Sequence, residues 1–218
     1  MEIGGFAGIA YSFCRWFVRL AYLNVLWIVF TFAGLMVFGL FPSTVALFTV
    51  TRKWVMGEKD IPIAKTFWKT YKFEFIKANK LAVILGIMGI IFFYNLSFLK
   101  SMTGMLSQLL YFGMLSFFLM YFIVLLYIFP VYVHYDTKVT QALKNAFVIG
   151  VSNPFYTVLM ITCSVLIYIL LFLVDLFIFF NISTIGLLIM WCTYRTFEKI
   201  DAYKVEKESK GAGEVSIT

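Results

Sequence analysis

The chain alternates between long uncharged apolar stretches and short segments rich in lysine and arginine. Residues 20–41 hold no charged side chain over 22 positions. Comparable stretches cover residues 81–99, 106–131, 155–173 and 176–194. A helix rises about 1.5 Å per residue, so roughly 20 apolar residues cross the ~30 Å hydrocarbon layer of a bilayer. The pattern predicts an all-α integral membrane bundle of five transmembrane helices. Residues 1–200 form one membrane domain and residues 201–218 a short charged cytoplasmic tail. Residues 155–194 carry a single charge, Asp175, over a length that suits two spanning helices and not one. The turn between them is expected near Asp175 or at Asn181-Ile182-Ser183-Thr184, whose polar side chains can cap a helix start.

The segments between spans carry their own pattern. At 100° per residue, Ile63, Ala64, Phe67, Trp68, Tyr71, Phe75 and Ala78 fall on one arc of residues 61–80, and Lys65, Lys69, Lys72, Lys77 and Lys80 on the other. This predicts an amphipathic basic helix leading into the second span, with Pro62 in its first turn. Its apolar arc is expected in the acyl boundary and its lysines on anionic headgroups, at roughly 1 kcal/mol per lysine. A docking surface for a cytoplasmic partner is the alternative. Lys65, Lys69, Lys72, Lys77, Lys80, Phe67, Trp68 and Tyr71 are therefore the candidate lipid- or partner-binding residues. Residues 42–54 are too short to span and read as an interfacial or re-entrant helix starting at Pro42 and stopping at Gly57. Pro130 is expected to end the third span, and Asp136 or Thr137 to cap a second amphipathic helix over residues 138–151. The recurrence of Phe-Pro (Phe41-Pro42, Phe129-Pro130) followed by Asn79 and Asn153 suggests a parallel internal repeat.

Composition agrees: 62% of residues are hydrophobic and 13% charged, against about 45–50% and about 25% in soluble domains. The net charge of +7 sits outside the spans. With five spans, Arg15, Arg19 and Lys100 fall on one side and the other fifteen basic residues on the opposite side. Basic short loops stay cytoplasmic, so the N-terminus is expected outside and the C-terminus inside. The aromatics beside the lysines lie on the apolar arc, which excludes a nucleic-acid module as the reading.

Chemistry is sparse. Cys14, Cys163 and Cys192 form no metal or redox spacing. His134 is the one histidine, and with Asp136 it offers two ligands where a metal site wants three or four. No nucleophile motif is present. Neither an enzyme nor a cofactor is expected. Asp175 is a candidate polar membrane site, because a carboxylate at mid-membrane costs about 2.5–3.5 kcal/mol on insertion scales and usually marks function. The span boundaries place it in an outer turn.

Asn24-Val25-Leu26-Trp27, then residues 39–47 (Gly39-Leu40-Phe41-Pro42-Ser43-Thr44-Val45-Ala46-Leu47), Gly57-Glu58, Phe67, Lys69, Phe73 and Phe75 form an ordered series. Phe129-Pro130, Tyr135 and Leu143-Lys144-Asn145-Ala146 continue it. Over roughly residues 15–200 this series resembles the YesL-like family of small bacterial multi-pass membrane proteins, of unknown function. Phe41-Pro42-Ser43-Thr44 stands where that family commonly has Gly-Pro-Ala-Thr. The resemblance implies a bacterial cell membrane and an association with carbohydrate uptake, and it carries over no catalytic residue. The expected role is an accessory or scaffold that contacts transporter subunits and anionic lipid. The alternative is a small solute carrier or channel, which at five spans per chain would act as a homo-oligomer.

Overall fold

The computed structural model describes residues 6–102, 104–135, 137–174 and 177–215. They form seven helices and, among the described residues, no strand. These are α1 (Phe6–Ala33), α2 (Val37–Val55), α3 (Ile63–Ser101), α4 (Met105–Tyr135), α5 (Val139–Ser152), α6 (Pro154–Leu173) and α7 (Phe177–Val215). Tyr11–Ala33 of α1, together with α3, α4 and α6, is long and apolar enough to cross a bilayer. The outer faces of these helices stay apolar and uncovered, as at Val29, Phe93, Leu109 and Leu166. That is the surface of a multi-pass helical membrane protein, because only lipid or other spans can cover it.

Residues 20–41 are not one helix. The chain reverses at residues 34–36, where Leu35 and Met36 adopt positive φ of 59° and 58°. The Met36 N–H donates to the Thr31 carbonyl at 2.9 Å and closes the turn. α1 and α2 then return antiparallel at very close range. A Cβ on Gly34 would lie 2.4 Å from Gly39 Cα, and one on Gly39 would lie 2.4 Å from the Thr31 carbonyl oxygen. The two glycines are what allow this backbone contact. Along the hairpin, Trp27 Nε1 donates to Thr44 Oγ1 at 3.1 Å, and Trp16 meets Trp54 edge to face at 5.5 Å. Gly57, with φ of +96°, follows the end of α2 as the stop anticipated there.

Pro42 lies inside α2, not at its start. A proline has no N–H, so the Phe38 carbonyl loses its ordinary helical donor. Asn79 of α3 supplies the substitute: its Nδ2 donates to the Phe38 carbonyl at 3.0 Å and to the Phe75 carbonyl at 2.8 Å. Asn153, which follows Phe129-Pro130 as Asn79 follows Phe41-Pro42, is bonded differently. Asn153 donates to the Ile149 carbonyl of its own helix, at 3.1 Å, and not across to the Pro130 region.

The basic segment and the second span are one helix, α3, of 39 residues and about 58 Å. α4 likewise runs through Pro130 to Tyr135 and does not end at the proline. It returns along α3, with the Tyr121 hydroxyl donating to the Leu85 carbonyl at 2.8 Å. α5 begins after Lys138, which makes no side-chain capping bond; Thr137 Oγ1 makes no hydrogen bond, and Asp136, the other expected cap, lies outside the described residues. Tyr127 and Thr157 join α4 to α6 through a 3.0 Å hydroxyl pair. α7 runs from Phe177 unbroken through residues 181–184, so the turn anticipated at Asn181-Ile182-Ser183-Thr184 is absent. The buried centre is built from Leu23 of α1, Leu47 of α2, Phe67 and Leu81 of α3, Tyr127 and Ile128 of α4, and Met190 of α7.

Candidate functional site

Phe67, Tyr71, Glu74 and Ala78 recur at spacings of four, three and four, and all four are buried. This stripe turns α3 into the protein and not toward lipid. Phe30 of α1 receives it, with ring centroids 5.3 Å from Phe67, 5.3 Å from Trp68 and 5.1 Å from Tyr71. The Tyr71 hydroxyl donates to the Phe30 carbonyl at 3.1 Å. Phe67 and Tyr71 are thereby withdrawn from any lipid or partner surface, whereas Trp68 keeps half its surface open. Lys65, Lys69, Lys72, Lys77 and Lys80 are all exposed.

Glu74 is the residue that the sequence reading passes over. It sits on the buried stripe, and a carboxylate there needs donors. Tyr132 of α4 donates its hydroxyl to Glu74 Oε2 at 2.5 Å, and Lys77 Nζ lies 3.3 Å from Oε1. The first is a short, charge-assisted bond across two helices. The signal is present in the helical wheel, where Glu74 falls between Ile63 and Phe67 on the apolar arc.

Above this pair, a cavity of about 550 Å³ opens between α2, the first turns of α3 and the end of α4. Arg52 and Lys53 line it from α2, Lys65 and Lys69 from α3, and Glu74 and Tyr132 close it. Lys53 is partly engaged by Glu58 at 3.5 Å, and Glu74 is held by Tyr132 and Lys77. The cleft is therefore net cationic. The Nε of Arg52 is buried and makes no hydrogen bond. An unsatisfied buried donor costs about 1–3 kcal/mol.

The remaining candidates are dispersed. Asp175 lies outside the described residues. His134 stacks on Phe197 at 4.3 Å and meets the Tyr135 ring edge at 4.8 Å, an aromatic setting. Among the described residues no group of three or more His, Cys, Asp or Glu side chains could hold a metal. The three cysteines are free. A second cavity, of about 710 Å³, sits beside the 34–36 turn and is lined almost wholly by apolar groups such as Trp27, Met36, Phe38 and Val83.

Comparison with known proteins places this chain in a family. Residues 20–96 match the family described as "Protein of unknown function, DUF624". Three Bacillus subtilis (strain 168) proteins are similar over nearly their whole length. "Uncharacterized protein YteU" is 36% identical over 211 residues, covering 96% of this chain and 95% of its own. "Uncharacterized protein YesL" is 37% identical, covering 90% and 92%, and "Uncharacterized protein YesV" is 36% identical, covering 88% and 93%. No solved structure matches the chain.

Proposed function

The chain belongs to the DUF624 family, whose function is unknown, and from that premise we propose a non-catalytic accessory or scaffold protein of a membrane transport system, linked to carbohydrate uptake. The observation that carries this reading is the two-helix arm formed by the second half of α3 and the first half of α4. It is lined outward by Phe93, Phe98, Leu109 and Phe112, all more than half exposed. A face of this kind suits packing against the spans of another protein. The link to carbohydrate uptake rests on the resemblance to the YesL-like family.

The first half of α7, uncharged over residues 177–194, completes a fifth span in this proposal. The exposed lysines at 65, 69, 72, 77 and 80 lie on the cytoplasmic side, with Lys72, Lys77 and Lys80 against anionic headgroups. The C-terminus shares that side. A count of five spans puts the N-terminus opposite. One contact favours a second arrangement: Arg19 of α1 pairs with Asp60 of the α2–α3 connection at 2.7 Å. The five-span count from the loop charges puts Arg19 and residues 42–80 on opposite faces. The ion pair supports a hairpin of α1 and α2 entered from the basic side, with both termini cytoplasmic.

Purification of the tagged chain from native membranes in mild detergent tests the role. Co-purification of sugar-transporter subunits, lost when Phe93 and Leu109 are changed to lysine-free polar residues, is the expected result. Recovery of the chain alone from native lipid, together with solute flux in liposomes holding only this protein, would replace the scaffold reading with a carrier.

A further inference from the structure

We propose that the cleft between α2, α3 and α4 binds a phosphate group, with Arg52 as its principal ligand and Lys65 and Lys69 completing the site. This stands apart from the scaffold reading and does not depend on it. The cleft is assembled from two helix faces. On α2, Arg52 and Lys53 stand three and four residues after Thr49; on α3, Lys65 and Lys69 are one turn apart. Neither face holds an acid opposite these cations except Glu74, whose two oxygens are already engaged by Tyr132 and Lys77. Among the described residues, Arg52, Lys65 and Lys69 have no carboxylate within ion-pair distance. Like charges held together in one cavity repel, and an anion between them removes the repulsion.

Arg52 adds a separate observation. Its Nε is shut off from solvent yet has no acceptor. The Arg52 guanidinium has other donors besides Nε, in a planar fork that matches two phosphate oxygens at once, and the residue lines the cleft. The volume, about 550 Å³, exceeds what a bare phosphate fills. The rest of the wall includes Phe73 and Val133, so the substituent on the phosphate has an apolar side to lie against. Two sources share this chemistry: a soluble phosphomonoester or inorganic phosphate, and the headgroup of phosphatidic acid.

The experiment uses the full chain in nanodiscs. Inorganic phosphate is titrated by calorimetry in nanodiscs of phosphatidylcholine alone, and thermal unfolding is compared between these and nanodiscs containing phosphatidic acid. Variants are Arg52→Gln, Lys69→Gln and, as a control distant from the cleft, Lys144→Gln. Phosphate binding weakened at least tenfold by Arg52→Gln and by Lys69→Gln, and unchanged by Lys144→Gln, supports a soluble ligand. Silence toward free phosphate, with a rise in melting temperature of several degrees in phosphatidic acid that Lys69→Gln abolishes, supports the lipid headgroup. Binding in neither arm overturns the proposal, as does equal weakening by Lys144→Gln, which would mark nonspecific charge. Lys69 is exposed, so its variant keeps the test valid if Arg52→Gln fails to fold.

Discussion

Glu74 shows how a single side chain can tie two helices together. Its carboxylate is nearly sealed inside the protein, where an unpaired charge would be expensive, and the Tyr132 hydroxyl on α4 answers it. Tyr132→Phe removes the donor and leaves the carboxylate to Lys77 alone. The expected loss is about 1.5–3 kcal/mol, as for bonds to charged groups, read as a lower melting temperature in detergent. Glu74→Gln keeps an acceptor for Tyr132 and should cost less than Glu74→Leu, which removes that acceptor. Equal melting temperatures for the wild type and Tyr132→Phe would show that the bond contributes nothing net.

At the scale of elements, the α1–α2 hairpin depends on two features of different kinds. The first is space. Gly39→Val places a side chain where the Thr31 carbonyl already sits, so the two backbones must separate. Severe destabilisation is expected, with loss of folded protein on size-exclusion chromatography. The second is hydrogen-bond accounting. Asn79→Leu leaves the Phe38 carbonyl without a donor and should cost about 1–3 kcal/mol. Pro42→Ala restores a backbone N–H to α2, so in the Asn79→Leu background it should recover much of that loss. Pro42→Ala alone should gain little, because Asn79 already fills the role. A double-mutant cycle on melting temperature measures this coupling, and purely additive effects would refute it.

For the whole molecule, sidedness is the open variable with a direct readout. Reporter fusions at both ends, with a single cysteine at Glu58 for labelling, report which ends share a face. The Arg19–Asp60 pair leads to the expectation that the N-terminus, the α2–α3 connection and the tail are all labelled from the cytoplasm. An external N-terminus would restore the arrangement read from the loop charges. The pair itself adds little energy, since Asp60 is almost fully exposed. Its value lies in reporting which segments are neighbours.

Hydrophobic runs and charge distribution were enough to establish a multi-pass helical chain, three of the four helices long and apolar enough to cross a bilayer, and the boundaries of α5 to within a residue or two. That is a matter of period and length, which the residues carry individually. The family was legible as well, in the ordered series from Asn24 to Ala146. Three features required the folded chain. The reversal at residues 34–36 lies inside an uninterrupted apolar run, and only the approach of Gly34 to Gly39 reveals it. The inward turn of Phe67 and Tyr71 depends on Phe30 standing opposite, since an apolar arc looks the same whether lipid or another helix covers it. The cationic cleft joins Arg52 and Lys53 to Lys65 and Lys69 across a helix boundary, and charges on two helices become one site only when packing sets their faces together.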